Sequence, residues 1–205
     1  MDYCAYLIKQ ALVETPRALS IALGEATKGG FHFKVPNANK DQQVAAAMGG
    51  ELVKSLKAEG VPVHRGRVKT QESILSSGSK LPNDMLGLQA YSRGPKDVVK
   101  AVKALEGAGV EVGSAKVKLS DSYAGIHIKG TKGKVPVELQ ITSDPISQVG
   151  HQLQHQLVYK QKVEAPAADK EDKKIGKRVA QKLLAHSWIP KAVPQLKQLG
   201  LEVKK

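Results

Sequence analysis

The chain has little of three residue types that many functional classes depend on: cysteine, aromatic residues and acidic residues. Cys4 is the single cysteine among 205 residues, which excludes an intrachain disulfide and a cysteine-based zinc site. Aromatic residues make up only 4%, and they do not alternate with basic residues as in modules that stack on single-stranded nucleic acid. Because no apolar run is long enough for a membrane span and no basic-then-apolar leader is visible, we expect a soluble, cytoplasmic protein.

Basic residues outnumber acidic ones by 32 to 19, which gives a formal net charge of +13 and an isoelectric point near 9.7. A field of this sign attracts polyanions, so the expected partners are nucleotides, RNA, DNA or an acidic protein. A solvated basic surface explains any single lysine cluster equally well, and both explanations stay open here.

The apolar periodicity predicts one α/β domain, a mixed sheet of about five strands flanked by helices, with helical extensions at both ends. Residues 1–60 are predicted as a helical region, 61–160 as the core, and 161–205 as a linker and a basic helical tail. The predicted strands span 61–69, 84–92, 110–119, 123–129 and 134–142. The predicted helices span 2–26, 41–59 with Asp41 as its cap, 70–79, 95–107, 146–160 and 175–186, and 31–40 is predicted as a loop.

Two carboxylates stand in apolar, β-prone runs of this basic chain. Asp84 opens the run DMLGL (84–88), and Glu138 lies inside VELQI (137–141). Burying a carboxylate in such a run is unfavourable unless it binds a cation or acts as a base. The pair is therefore the strongest candidate for chemistry, although either carboxylate also fits a strand end or a surface ion pair.

Cationic residues precede the first of these carboxylates. Arg65, Arg67 and Lys69 alternate along one face of a predicted strand, and Ser73 follows near the start of a predicted helix. Lys80 is a further candidate, displaced towards the next loop. Two carboxylates for a divalent metal and a cationic phosphate cradle are the groups that phosphoryl transfer requires.

At these residues the segment 65–160 resembles the RelA/SpoT-type nucleotidyltransferases, which make the alarmone ppGpp. RVK (67–69) with Ser73 looks like the family's ATP-phosphate-binding segment, and DMLGL looks like its Asp-Leu-x-Gly motif, whose aspartate holds magnesium. YAGIH (123–127) resembles Gly-Tyr-Arg-Ser-Ile-His, whose tyrosine stacks on the acceptor guanine. VELQI resembles Glu-Ile-Gln-x-Arg-Thr, whose glutamate is the second acidic catalytic residue, and HQLVYK (155–160) resembles the helix that ends this block.

The resemblance implies Mg²⁺-dependent transfer of pyrophosphate from ATP to the 3′-hydroxyl of a purine nucleotide, GDP or GTP in this family. By the same resemblance, Asp84 and Glu138 are the catalytic and magnesium-binding residues. The candidate ATP-phosphate residues are Arg67, Lys69 and Ser73 by the resemblance, Arg65 by its facing on the same strand, and Lys80. The candidate acceptor residues are Tyr123 by the resemblance, His127 and Lys129 near it, and Gln140, which shares the face of Glu138.

The hydrolase His-Asp signature of larger family members is not visible, so we expect a small, synthetase-only form. Such forms often act as growth-inhibiting toxins or stress enzymes. A neutralising protein partner and a homo-oligomer are the further partners expected on that basis.

Three arginines of the family pattern are replaced in this chain, by Gln89, Ala124 and Thr142. Nearby cations that would compensate are Lys129, Lys132, Arg93 and Lys116. Two alternatives follow from the lost arginines and the positive charge. One is transfer to an adenine nucleotide or to the 3′ end of tRNA, and the other is a catalytically degenerate fold that binds RNA or a protein.

Other candidates carry less weight. Tyr123 and His127 also fit as ordinary structural residues. His151 and His155 have the i, i+4 spacing of metal ligands on a predicted helix, but no glutamate stands in the zincin position. The sequence contains neither a Gly-x-Gly-x-x-Gly motif nor a Walker A motif, so Rossmann and P-loop folds lack support.

Overall fold

The computed structural model describes residues 29–76, 84–121, 123–143 and 170–204. In chain order they form β1 (Gly30–His32), α1 (Lys40–Ala58), β2 (Val63–Val68), α2 (Gln71–Ser76), β3 (Leu86–Tyr91), α3 (Pro95–Gly107), β4 (Glu111–Ser120), β5 (Tyr123–Lys132), β6 (Val135–Thr142), α4 (Lys170–Leu184), α5 (Val193–Gln198) and β7 (Glu202–Lys204). The predicted helices over 2–26 and 146–160, with His151 and His155, lie outside the described residues.

The seven strands form one mixed sheet in the order β1-β2-β3-β6-β5-β4-β7. The pairs β1–β2, β3–β6 and β4–β7 are parallel, and the other neighbours are antiparallel. The predicted α/β class is confirmed, and all five predicted strands are present. The two additional strands, β1 and β7, were not predicted, because three residues are too few to show a period of two. Strand β1 lies at the start of the predicted loop, and β7 lies in the predicted tail.

Helix α1 begins at Lys40 because Asn39 caps it, and the predicted cap at Asp41 is wrong. The Asn39 side chain accepts the Gln42 backbone N–H, and the Gln42 side chain accepts the Asn39 backbone N–H, both at 2.9 Å. This reciprocal arrangement satisfies two backbone donors at once. Asp41 lies in the first turn, where its negative charge interacts favourably with the positive end of the helix dipole.

The aromatic ring of Phe33 explains why glycines stand in the middle of α1. A Cβ atom built on Gly49 would lie 2.6 Å from the ring, and one built on Gly66 of β2 would lie 2.7 Å from it. The two glycines therefore leave a slot between helix and sheet that this ring fills. Glycine is unfavourable in a helix interior, yet Gly49 and Gly50 do not interrupt α1.

The sheet has an apolar and a polar face because side chains alternate along each strand. The apolar face packs against α1 and α3 in a core whose fully buried members include Leu52, Leu56, Leu86, Leu88, Leu105, Ile126 and Leu139. On the polar face, the strand register aligns Arg65 with Gln89, Gln89 with Gln140, and Gln140 with His127. Polar residues from four strands thus form one row.

The C-terminal residues pack onto the same core. The Trp188 indole N–H donates to the Ser92 carbonyl oxygen at 2.7 Å, and Ile189 and Leu196 are fully buried in the core that the sheet forms. Strand β7 then pairs with β4, with Glu202 opposite Lys116. The predicted division of the chain into three parts stays a prediction. Within the described ranges, no helix is long and apolar enough to span a membrane.

Replacing Leu196 tests whether the C-terminal segment contributes to the core. Leu196→Ala removes a side chain that is 0% exposed, whereas Leu199→Ala, the matched control, changes one that is 44% exposed. We expect Leu196→Ala to lower the free energy of unfolding by about 2–4 kcal/mol, and Leu199→Ala by less than about 1 kcal/mol. Denaturant unfolding measures both, and equal losses would contradict the packing described.

Candidate active site

An open cleft lies on the polar face of the sheet, and we call it the carboxylate cleft because it contains both sequence-predicted carboxylates. It has about 310 Å³ of empty space, open to solvent, and its lining residues are Arg65, Arg67, Asp84, Gly87, Leu88, Gln89, Glu138 and Gln140. Asp84 lies two residues before β3, and β3 runs parallel to β6 with Gly87 beside Glu138. The parallel pairing therefore brings together two residues that are far apart in sequence.

Asp84 is the more accessible carboxylate, and its partners come from β2 and the residue after it. Its Oδ1 accepts a hydrogen bond from Lys69 Nζ at 2.8 Å, and its Oδ2 lies 3.7 Å from an Arg67 guanidinium nitrogen. The Asp84 side chain is 22% exposed and that of Arg67 is 50% exposed. Two cations, one half exposed and one largely buried, thus neutralise Asp84 at the cleft.

Glu138 is buried and is held by residues of its own strand and of β5. Its Oε1 accepts from His127 Nδ1 at 2.9 Å and lies 3.6 Å from Lys129 Nζ. Its Oε2 accepts from Gln140 Nε2 at 3.1 Å, and Gln89 Nε2 in turn donates to Gln140 Oε1 at 3.3 Å. The carboxylate is thus fixed in direction by donors on both oxygens.

These donors keep Glu138 ionised. Burial alone would raise the pKa of Glu138, but the hydrogen bond from His127, the Gln140 amide and the Lys129 charge outweigh burial and lower it from 4.5 to about 2. Burial raises the pKa of the Tyr123 hydroxyl, and the Glu138 charge adds to this effect. Near neutral pH the carboxylate is therefore charged and the phenol keeps its proton.

The resemblance implies a Mg²⁺ ion, and the cleft has suitable donors. Mg²⁺ takes oxygen ligands and binds through one or two carboxylates and substrate phosphates. Asp84 fits best because it is the more accessible of the two, and Glu138 would be the second carboxylate. Among the described residues, no three His, Cys, Asp or Glu side chains converge as a metal site, so substrate oxygens and water would complete the coordination.

Of the remaining residues predicted to bind ATP phosphates or the acceptor, some lie near the cleft and others do not. Lys129 approaches Glu138, whereas Ser73 lies on α2 outside the lining of the cleft, with its backbone N–H donating to Thr70 Oγ1 at 3.2 Å. Lys80 lies outside the described residues. In the sequence Gln89 stands out only as the replacement of a family arginine, yet its side chain lines the cleft.

Two of the substituted arginine positions are buried here. Ala124 is 2% exposed and Thr142 is 4% exposed, so neither position offers a side chain to the cleft. The prediction that Lys132 compensates is wrong, because its Nζ donates to Glu51 Oε1 of α1 at 2.8 Å, on the apolar side of the sheet. Lys116 pairs with Glu202 of β7, and Arg93 lines a separate cavity beside Trp188.

Comparison with solved structures identifies the fold. The chain is similar to a GTP pyrophosphokinase family protein from Streptococcus pneumoniae, with a TM-score of 0.52 and 18% identity, covering 78% of this chain and 92% of that one. It is also similar to the small alarmone synthetase 1 from Bacillus subtilis, with a TM-score of 0.50 and 18% identity, covering 78% and 94%. No family model and no curated protein matches the sequence. The RelA/SpoT-type resemblance is thereby confirmed for the fold.

The lowered pKa of Glu138 predicts an acid-dependent contribution to stability. A carboxyl group whose pKa is lower in the folded than in the unfolded protein stabilises the fold above its ordinary pKa, and this contribution disappears as the pH falls to the folded value. We expect the difference in unfolding free energy between wild type and Glu138→Gln to shrink as the pH falls from 4.5 to about 2. Denaturant unfolding across this range tests it, and a constant difference would contradict it.

Proposed function

We propose that the chain transfers the pyrophosphate group of ATP to the 3′-hydroxyl of a purine nucleotide. The observation that carries the proposal is the carboxylate cleft, where Asp84 and Glu138 lie together with Arg65 and Arg67. The shared fold with proteins described as pyrophosphokinases and alarmone synthetases supports this reaction class. GDP or GTP is the acceptor we favour.

On the donor side, the proposed role of Arg65, Arg67 and Lys69 is to bind the triphosphate. Phosphoryl transfer depends mainly on positioning and on neutralising the charge of the phosphates, and forked guanidinium groups suit this task. When bound at Asp84, Mg²⁺ would neutralise further charge on the transferred group. Lys69 would exchange its bond with Asp84 for one with a phosphate.

On the acceptor side, the ribose hydroxyl would approach Glu138. Its oxygen would form a bond to the β-phosphorus of ATP while the bond to the α-phosphate oxygen breaks and AMP leaves with those electrons. A carboxylate with a pKa of about 2 is a weak base, so we assign Glu138 mainly to orienting the hydroxyl through a hydrogen bond. The hydroxyl proton would pass to solvent as the bond to phosphorus forms.

An RNA acceptor is the second candidate, and it is favoured by cations that lie on the polar face beyond the cleft. On the polar face, β4 adds Lys116 and Lys118, which lie opposite His127 and Gly125 of β5. An acceptor with several phosphates would meet these lysines beyond the cleft, and with a net charge of +13 its binding would weaken steeply with salt. Growth inhibition, a neutralising partner, a homo-oligomer and a cytoplasmic location stay predictions.

A transfer assay tests the proposed function. The protein is incubated with γ-labelled ATP and Mg²⁺, with GDP, GTP, ADP, ATP or bulk tRNA offered separately. We expect label in GDP or GTP, and a loss of at least about 100-fold in Asp84→Asn and Glu138→Gln, because each removes a charge that the reaction requires.

Matched carboxyl-to-amide controls are Asp121→Asn and Glu111→Gln. Asp121 pairs with Lys177 at the surface with 66% of its side chain exposed, and Glu111 is exposed on β4; neither lines the cleft. Both controls should retain activity. Label in tRNA alone would replace the nucleotide acceptor by RNA, and absence of transfer to every acceptor would overturn the proposed reaction.

A further inference from the structure

Tyr123, His127 and Glu138 form a hydrogen-bonded chain that reaches the cleft from one side. The Tyr123 hydroxyl oxygen lies 2.6 Å from His127 Nε2, and His127 Nδ1 lies 2.9 Å from Glu138 Oε1. His127 and Glu138 are each only 7% exposed. Water therefore has little access to the bond between His127 and Glu138.

The direction of donation along this chain follows from the chemistry of its ends. An ionised carboxylate only accepts hydrogen bonds, so His127 Nδ1 must carry a hydrogen. In the tautomer with its hydrogen on Nδ1, the ring accepts the Tyr123 hydroxyl at Nε2, so donation runs from Tyr123 to His127 and on to Glu138.

Gly125 makes this geometry possible. Tyr123, Gly125 and His127 are alternate residues of β5 and so point to the same face. A Cβ atom on Gly125 would collide with the Tyr123 hydroxyl oxygen and with the ring carbon that bears it. Only glycine leaves space for the tyrosine ring to lie along the strand and reach His127.

We propose that His127 and Tyr123 are positioning residues for Glu138, so that the tyrosine acts through its hydroxyl as well as through its ring. His127 fixes the direction of the carboxylate at Oε1, while Gln140 holds Oε2, and Tyr123 fixes the imidazole. The consequence for turnover rests on the proposed function, because it concerns the carboxylate that would orient the acceptor hydroxyl. The tautomer of His127 does not depend on any reaction.

The first test is ¹⁵N NMR of the full chain labelled in its histidines. His127 signals are assigned by their loss in His127→Asn. We expect a single His127 tautomer with the hydrogen on Nδ1, and in Tyr123→Phe the same tautomer with a displaced Nε2 resonance, since the donor to Nε2 is gone. The control is Tyr91→Phe, because Tyr91 lies on β3 and is not part of the hydrogen-bonded series from Tyr123 to Glu138. It should leave both His127 resonances in place. A hydrogen on Nε2 in wild type, or an unmoved Nε2 resonance in Tyr123→Phe, would overturn the proposal.

The second test separates the hydroxyl from the ring by transfer kinetics. Tyr123→Phe keeps the ring for stacking, so we expect kcat to fall about tenfold while KM for the acceptor changes less than about twofold. His127→Asn keeps an N–H donor for Glu138, and it should retain about fivefold more kcat than His127→Phe. Unchanged kcat in Tyr123→Phe, or equal losses in the two His127 variants, would reject a positioning role.

The two tests also separate this inference from the proposed function. If the wild type transfers no label to any acceptor, the reaction is wrong, and the NMR result alone decides whether the positioning chain exists. If transfer occurs and the tautomer is the opposite one, the reaction stands and the positioning chain is rejected.

Discussion

The buried charge of Glu138 is the constraint around which the polar face is arranged. Strand β6 lies between β3 and β5, so a carboxylate on it has little contact with solvent. Removing a carboxylate from water is strongly unfavourable unless donors replace the lost hydration. His127, Lys129 and Gln140 provide that replacement, and Gln89 then donates to the Gln140 oxygen. The residue types at four positions on three strands thus follow from one ionised group.

Asp84 presents the opposite case within the same cleft. Its neighbours are two long cations from β2 and the residue that follows it, and its side chain keeps some contact with solvent. Glu138 is therefore enclosed by donors of the central strands, while Asp84 is held by two cations on the more exposed side of the cleft. In the proposed reaction, Glu138 would keep a fixed direction while the charges around Asp84 rearrange as ATP binds.

The sequence predicted the features that depend on local periodicity, and it failed where distant strands meet. Alternation along single strands was enough to put Arg65 with Arg67, and Glu138 with Gln140, on common faces. The parallel pairing of β3 with β6 joins residues 51 apart, and no local pattern carries the register that makes Gln89 a partner of Gln140. Lys132 was named with Lys129 among the nearby cations, although an odd separation along a strand sends the two side chains to opposite faces.

Both edges of the sheet are three-residue strands, and this affects how the protein meets other chains. An exposed strand edge offers unpaired backbone groups on which a second chain can assemble, and short or charged edges limit that risk. Strand β7 covers residues 116–118 of the ten-residue β4 and carries Glu202 and Lys204. Shortening the chain before Glu202 would uncover a longer edge, so truncated versions of this protein should be more prone to aggregate even where the cleft is intact.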